Sequence, residues 1–413
     1  MAFAHTYFSR FQSFPPQIPT PPSSNLHISV VIPCFSEPDI IRTLDSLRAC
    51  NMPTLDVEIL IVINYGENVS DEIKDYNQHT YTELCSYTAQ YSTTKMNLHP
   101  ILASDLPKKH AGVGLARKIG MDEAVLRFNK INNPSGIIVA CDADSLVQTN
   151  YLQEIENWYR KHSQCSVATI YFEHPLSGDL PQYMYEAIAQ YELHLRVYVE
   201  ALKYMRVPYA YHTVGSCMTL TAHAYCKCGG MNKRQAGEDF YFLQKLFQAH
   251  SNTNEIGEIN TTMVIPSSRI SHRVPFGTGH AMQEMMQSAE PLYYSYHPQS
   301  YEVLRNFFDL IPIFHTADTH ILSRKYSAFH PALQSFMSEA VFYSKIQEIQ
   351  SNASTEHAFT KRFFMWANAF FTFRFLNESH KTYFTKIPIH TAATLFFQTP
   401  QNQSVIDILN PSC

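Results

Sequence analysis

Over the first two thirds of the chain, short apolar runs alternate with stretches whose apolar residues recur at helical spacing. The runs Ile28–Ile32, Val57–Ile63 and Ile137–Cys141 are interrupted only by Ser29 and Glu58, and strands with so little polar alternation are those covered on both faces. They predict buried strands. Between them, Asp39–Leu47 places Ile40, Ile41, Leu44 and Leu47 on one helical face, and Asp71–Gln90 and Val113–Phe128 read as helices around a shorter strand, Leu98–Ala103. Strands alternating with helices need crossover connections, so the pattern predicts an α/β, Rossmann-like, mostly parallel sheet with helices on both faces.

Downstream the alternation loosens. Asn150–Lys161 is helical, Val167–Phe172 a strand, Gln182–Tyr204 a long helix, and His212–Leu220 a strand of small residues. A sharp turn at Cys228, Gly229 and Gly230 precedes Gly237, after which Glu238 and Asp239 open a helix with Phe240, Leu243, Leu246 and Phe247 on its apolar face. Thr262–Ile265 is the last strand before a loop over Pro275–Gly279. From Ala281 onward the chain is aromatic-rich and helical in pattern, and aromatic stripes at that spacing read as core. The five prolines among residues 15–22 favour an extended lead-in. The expected division is an arm over 1–25, an α/β domain over 26–279, and a helical C-terminal region over 280–413 packed on it.

Composition narrows the function classes. The 413 residues carry a net charge of -5 without a dominant basic block, which argues against a nucleic-acid partner. The nine cysteines are scattered and odd in number, which suits a reducing compartment. His223, Cys226 and Cys228 lack the second ligand pair of a zinc site. No run of about eighteen apolar residues occurs, and the first residues lack a signal-peptide core. A cytoplasmic location is expected, with peripheral contact at the inner face of a membrane left open for the aromatic, weakly basic helices from Phe359.

Candidate chemistry gathers where strands end. The run Ile137–Cys141 leads directly into Asp142, Ala143 and Asp144. On an extended backbone that spacing puts both carboxylates on one side, where they repel each other unless a cation lies between them. A divalent metal fits. In parallel sheets ligands bind beyond the carboxyl ends of strands, and this pair stands at such an end. The stretch Lys108–Gly120 offers Gly112 and Gly114 for close backbone approach, a helix start and several cations, yet Arg117 occupies the third position of a dinucleotide fingerprint. Glu37 lies just past the first strand. Glu37, Glu238 and Asp239 are each also compatible with plain first-turn helix acids.

In this order, four segments resemble the glycosyltransferases of family 2: VVIPCFSEPD from Val30, KKHAGVGLARKIG from Lys108, VACDAD from Val139, and GGMNKRQAGEDFYFLQKL from Gly229. The resemblance runs from about Leu26 to Gly279. It implies the GT-A nucleotide-sugar-binding fold, an inverting hexosyl transfer from a nucleotide sugar, UDP-linked for preference, and a saccharide or lipid-linked saccharide acceptor of the kind met in polysaccharide biosynthesis. Carried over, it implies that Pro33, Glu37 and Asn64 border the nucleoside, and that Lys109, Gly112 and Arg117 frame the diphosphate. Asp142 would hold ribose or metal, Asp144 would bind Mn²⁺ or Mg²⁺ directly, and His272 would complete the metal shell. Asp239 would be the catalytic base, with Glu238 beside it. Two features depart from the pattern: Asn64 and Tyr65 replace an Asp pair that recognises uracil, and Lys118 stands where many members have Asn. The signature of processive synthases is missing. The rival readings are a non-catalytic nucleotide-sugar-binding protein and a sugar-phosphate nucleotidyltransferase.

Overall fold

The computed structural model describes residues 3–11, 14–235, 237–250, 256–271, 277–287 and 291–398. In chain order the first elements are α1 (His5–Phe11), β1 (Leu26–Cys34), α2 (Ile40–Arg48), β2 (Asp56–Gly66), α3 (Asp71–Tyr91), β3 (Met96–Leu106), α4 (Val113–Lys130) and β4 (Ile137–Ala140). There follow β5 (Leu146–Val147), α5 (Tyr151–Lys161), β6 (Val167–Phe172), α6 (Gln182–Tyr204), β7 (Met218–Thr221), α7 (Ala222–Lys227), α8 (Glu238–His250) and β8 (Gly257–Ile265). Among the described residues, further helices, α9 to α17, run from Thr278 to Gln398, with two-residue strands at Tyr294–Ser295 and Ile387–Pro388. The chain divides into two compact units, Met1–Leu180 with Thr213–His280, and Pro181–His212 with Ala281–Cys413. Helix α6 thus belongs with the C-terminal helices.

The first unit is built on one eight-stranded sheet in the order β3-β2-β1-β4-β7-β6-β8-β5. Strands β3, β2, β1 and β4 are mutually parallel, β7 runs antiparallel to both β4 and β6, and β8 is parallel to β6. The mostly parallel, helix-covered sheet and the helical C-terminal region expected from the sequence are both present. Every residue of β2 is buried, in keeping with its apolar run Ile59–Ile63. Helix α4 lies on β1 and β2 through Gly120, where any Cβ would collide with Val31 Cγ1.

Several local expectations change. The prolines of the lead-in do not keep it extended throughout, because α1 forms ahead of them and docks. Tyr7 donates to Asp122 Oδ1 at 2.6 Å and accepts from Lys118 Nζ at 2.9 Å, and Gly230, at φ 71, leaves room for its ring. The run over His212–Leu220 is a strand only from Met218, after a 3-10 turn at Gly215–Cys217. The last strand is longer than predicted, and β5 pairs with it as a short antiparallel edge. The described cysteines are free thiols.

The second unit is helical, with an aromatic core. Phe307 stands 5.7 Å from both Phe314 and Phe363, and Phe314 stands 5.2 Å from Phe342. Tyr209 donates to the carbonyl of Ala367 at 2.8 Å, tying the stretch after α6 to the C-terminal helices. The aromatic stripe is core here, as its spacing predicted.

Candidate active site

The carboxyl ends of β1, β4 and β8 and the starts of α4 and α8 supply the residues of one acidic cluster. Strand β4 stops at Ala140, and the chain then turns: Ser145 donates its N–H to the carbonyl of Asp142 at 3.1 Å, and the Thr43 hydroxyl donates to the carbonyl of Ala143 at 2.8 Å. The two aspartates therefore sit in a turn rather than on extended backbone. The two aspartates face two different arginines.

Asp142 pairs with Arg117, whose other terminal nitrogen pairs with Glu238. Residues 25 and 121 positions away in sequence thus meet on one guanidinium. Arg117 is 2 % exposed, and its Nε has no hydrogen-bond partner among the described residues. Gly215 makes room for it, since a Cβ there would press on Nη2 and lie 2.8 Å from Nη1. Burial opposes the charge on Arg117, but Asp142, Glu238 and Asp239 outweigh it and hold the group firmly protonated. Burial pushes Glu238 up to about 7 against the pull of Arg117, with Asp239 adding to the rise. Asp239 is raised as well, again chiefly by burial. Its Oδ1 accepts the N–H of Phe240 at 2.7 Å at the first turn of α8.

Asp144 faces Arg269 instead, at 3.5 Å. The same guanidinium pairs with Glu37 and, at 2.8 Å, with Asp39. Glu37 is 1 % exposed, and its Oε1 accepts the N–H of Asp39 at 2.8 Å. Pro33 is buried within β1 opposite Val62, and Asn64 is buried near the end of β2 opposite Ala103. His272 lies outside the described residues.

The glycines at the start of α4 serve another purpose than an open anion cradle. A Cβ at Gly114 would collide with the carbonyl oxygen of Arg234, and one at Gly112 would lie 2.9 Å from Cα of Gln235. The backbone they admit is the chain's own, over 232–235. This contact, with Gln235 Nε2 donating to the carbonyl of Lys108 at 2.8 Å, brings exposed Lys108, Lys109, Lys233 and Arg234 to one rim. Lys118 turns away from the cluster and bonds Asp122 at 2.9 Å. Sequence reading missed Asp39, Gly215 and Arg269. A cation just beyond the carboxyl end of β8, which runs parallel to β6 and hence to β4, was the available signal for Arg269.

Among the described residues, no three His, Cys, Asp or Glu side chains converge as a ready metal cage. The chemistry of the donors still suits a hard cation. Glu37, Asp39, Asp142, Asp144, Glu238 and Asp239 present six carboxyl groups to two guanidiniums, and both aspartates of the turn keep solvent-facing surface.

No family model and no curated protein matches this chain. Among solved structures, S. aureus TarS 1–349 is 15% identical over 86% of this chain and 91% of its own, with a TM-score of 0.41. The same protein in complex with UDP-GlcNAc is 11% identical over 83% and 93%, with a TM-score of 0.42. GalNAc-T7 with UDP, GalNAc and Mn²⁺ is 13% identical over 61% and 45%, with a TM-score of 0.36. The chemistry of the cluster rests on its own residues. No helix among the described residues is long and apolar enough to cross a membrane.

Proposed function

We propose that the chain is a nucleotide-sugar-dependent glycosyltransferase of the family 2 type, inverting, with Asp239 as the base. The observation that supports this most is the meeting of Asp142 and the Glu238–Asp239 pair on buried Arg117 at the carboxyl edge of the sheet. Such an edge is where α/β folds bind ligands. A sugar diphosphate approaching six carboxyl groups and two guanidiniums meets net negative charge. A divalent ion on Asp142 and Asp144 would offset it and neutralise the leaving diphosphate. Lys108, Lys109 and Arg234 on the rim suit the outer phosphate oxygens.

The acceptor hydroxyl needs a base on the face opposite the leaving group. A carboxylate is too weak to deprotonate a free hydroxyl, and acts only as the hydroxyl turns acidic during attack. Burial that raises Asp239 strengthens it for this late proton transfer. Arg117 holds Asp142 and Glu238 in register with it. A single displacement inverts the anomeric centre.

A panel of nucleotide sugars with Mn²⁺, read by thermal shift, identifies the donor, because ligands that bind the native state raise its melting temperature. Asp239→Asn then abolishes transfer, a loss of at least ~10²-fold for a missing general base, while calorimetric nucleotide binding stays near wild type. Full transfer by that variant would sink the base assignment. Undiminished nucleotide binding in EDTA would remove the metal role.

A further inference from the structure

Arg269 is not needed to neutralise the turn acids if a divalent ion does so, yet it is built into them. Its segment is fixed just before it, where buried Ser268 donates to the carbonyl of Pro175 at 3.2 Å. Its guanidinium spans three carboxylates, those of Glu37, Asp39 and Asp144. The three contacts are unequal. Glu37 is sealed and doubly engaged, Asp39 bonds at 2.8 Å, and Asp144 stands off at 3.5 Å. A planar fork can give two good hydrogen bonds at once, so the hold of Arg269 on the third acid is mainly through charge.

We propose that Arg269 is an internal counter-cation that shares Asp144 with the divalent ion of the proposed reaction, so that metal binding to the free chain is weakened by it. The inference rests on the metal role assigned to Asp144 above. Two cations cannot approach one carboxylate without repelling each other, and the guanidinium is already anchored by Glu37 and Asp39. Asp144 is the contact that gives way. A nucleotide diphosphate supplies fresh negative charge for the guanidinium, so donor and metal favour each other through this residue. Arg269 is thereby a positioning residue, and its effect is read in metal affinity rather than in turnover.

The test titrates Mn²⁺ into the full chain without nucleotide, following free Mn²⁺ by electron paramagnetic resonance. Arg269→Met is expected to bind Mn²⁺ about ten-fold more tightly than wild type, a change of about 1.4 kcal/mol. Arg269→Lys keeps the charge but loses the fork, and is expected to fall between the two; it carries the test if the methionine variant does not fold. Asp144→Asn should abolish binding in every background. Equal or weaker Mn²⁺ affinity in both Arg269 variants, with binding still lost in Asp144→Asn, overturns the proposal and leaves the metal site standing. Indifference of every variant to Asp144→Asn overturns the metal site as well.

Discussion

Helix α4 carries a buried arginine near each end, and the two are used in opposite ways. Arg127, in the last turn, places Nε and Nη2 on the two carboxylate oxygens of Glu58 at 2.5 Å each, while Nη1 bonds the carbonyl of Thr20 at 2.9 Å. Burial tends to raise Glu58, but Arg127 and His99 overcome it and hold it below its ordinary value. One carboxylate takes both arms of the guanidinium, and the fork is filled. Ten residues earlier, roughly 15 Å along the axis, Arg117 meets Asp142 and Glu238 on separate nitrogens, with Asp239 close by and Nε unpartnered. There burial wins, and Glu238 and Asp239 are raised. A matched pair is a structural clamp; an arginine shared among surplus acids leaves groups poised to change protonation or take a ligand.

Breaking each end separately sharpens this contrast. Arg127→Met strands Glu58 without its partner, and should cost about 3–5 kcal/mol of stability in urea unfolding, with most of it recovered in the double variant Arg127→Met, Glu58→Leu. Arg117→Met should cost transfer activity by about 10²–10³-fold, the range seen when a preorganised charged donor is removed. Removal of the cation also removes what holds Glu238 ionised, so its titration should move further up. If Arg117→Met instead lost stability as Arg127→Met does and kept its activity, the two ends would not differ in kind.

A milder probe leaves every charge in place. Gly215→Ala sets a methyl against Arg117 Nη2, closer than van der Waals contact allows, so the guanidinium must shift. Activity should fall about ten-fold by displacement alone, with the unfolding midpoint changed far less than in Arg127→Met. The gentlest test is pH. Glu238 binds its proton up to about 7 in the folded chain, above its ordinary value of 4.5. The native state therefore holds more protons than the unfolded one in that window, and stability falls as pH rises through it. Glu58 has the opposite sign: its contribution is present at neutral pH and lost as pH falls below the ordinary carboxylate range. Glu238→Gln should flatten the decline between about pH 4.5 and 7 and leave the acid-side loss untouched, as followed by unfolding midpoints across pH.

Much of this was legible in the chain itself. Unbroken apolar runs such as Ile59–Ile63 in β2 mark a strand sealed on both faces, because only burial selects against polar alternation. Helical spacing placed α2, α4, α5 and α6 to within a few residues, and the aromatic stripe of the C-terminal region became core. Five of the six acids of the candidate cluster, all but Asp39, were legible too, since strand ends and helix starts are where local pattern changes.

Which cation each acid meets was not legible. Arg117 reaches Asp142 and Glu238 only because the sheet sets β4 beside β1 under α4, and Arg269 reaches Glu37 and Asp144 only because β8 runs in the same direction as β6 and β4. The same holds for Gly112 and Gly114, whose open space is filled by residues 232–235, and for α1, which folds against Asp122 despite the prolines that follow it. Local sequence determines which segments become strands and helices because burial and spacing act over a few residues. Ion pairing acts between residues brought together by the fold, so the charge balance of the site belongs to the tertiary structure.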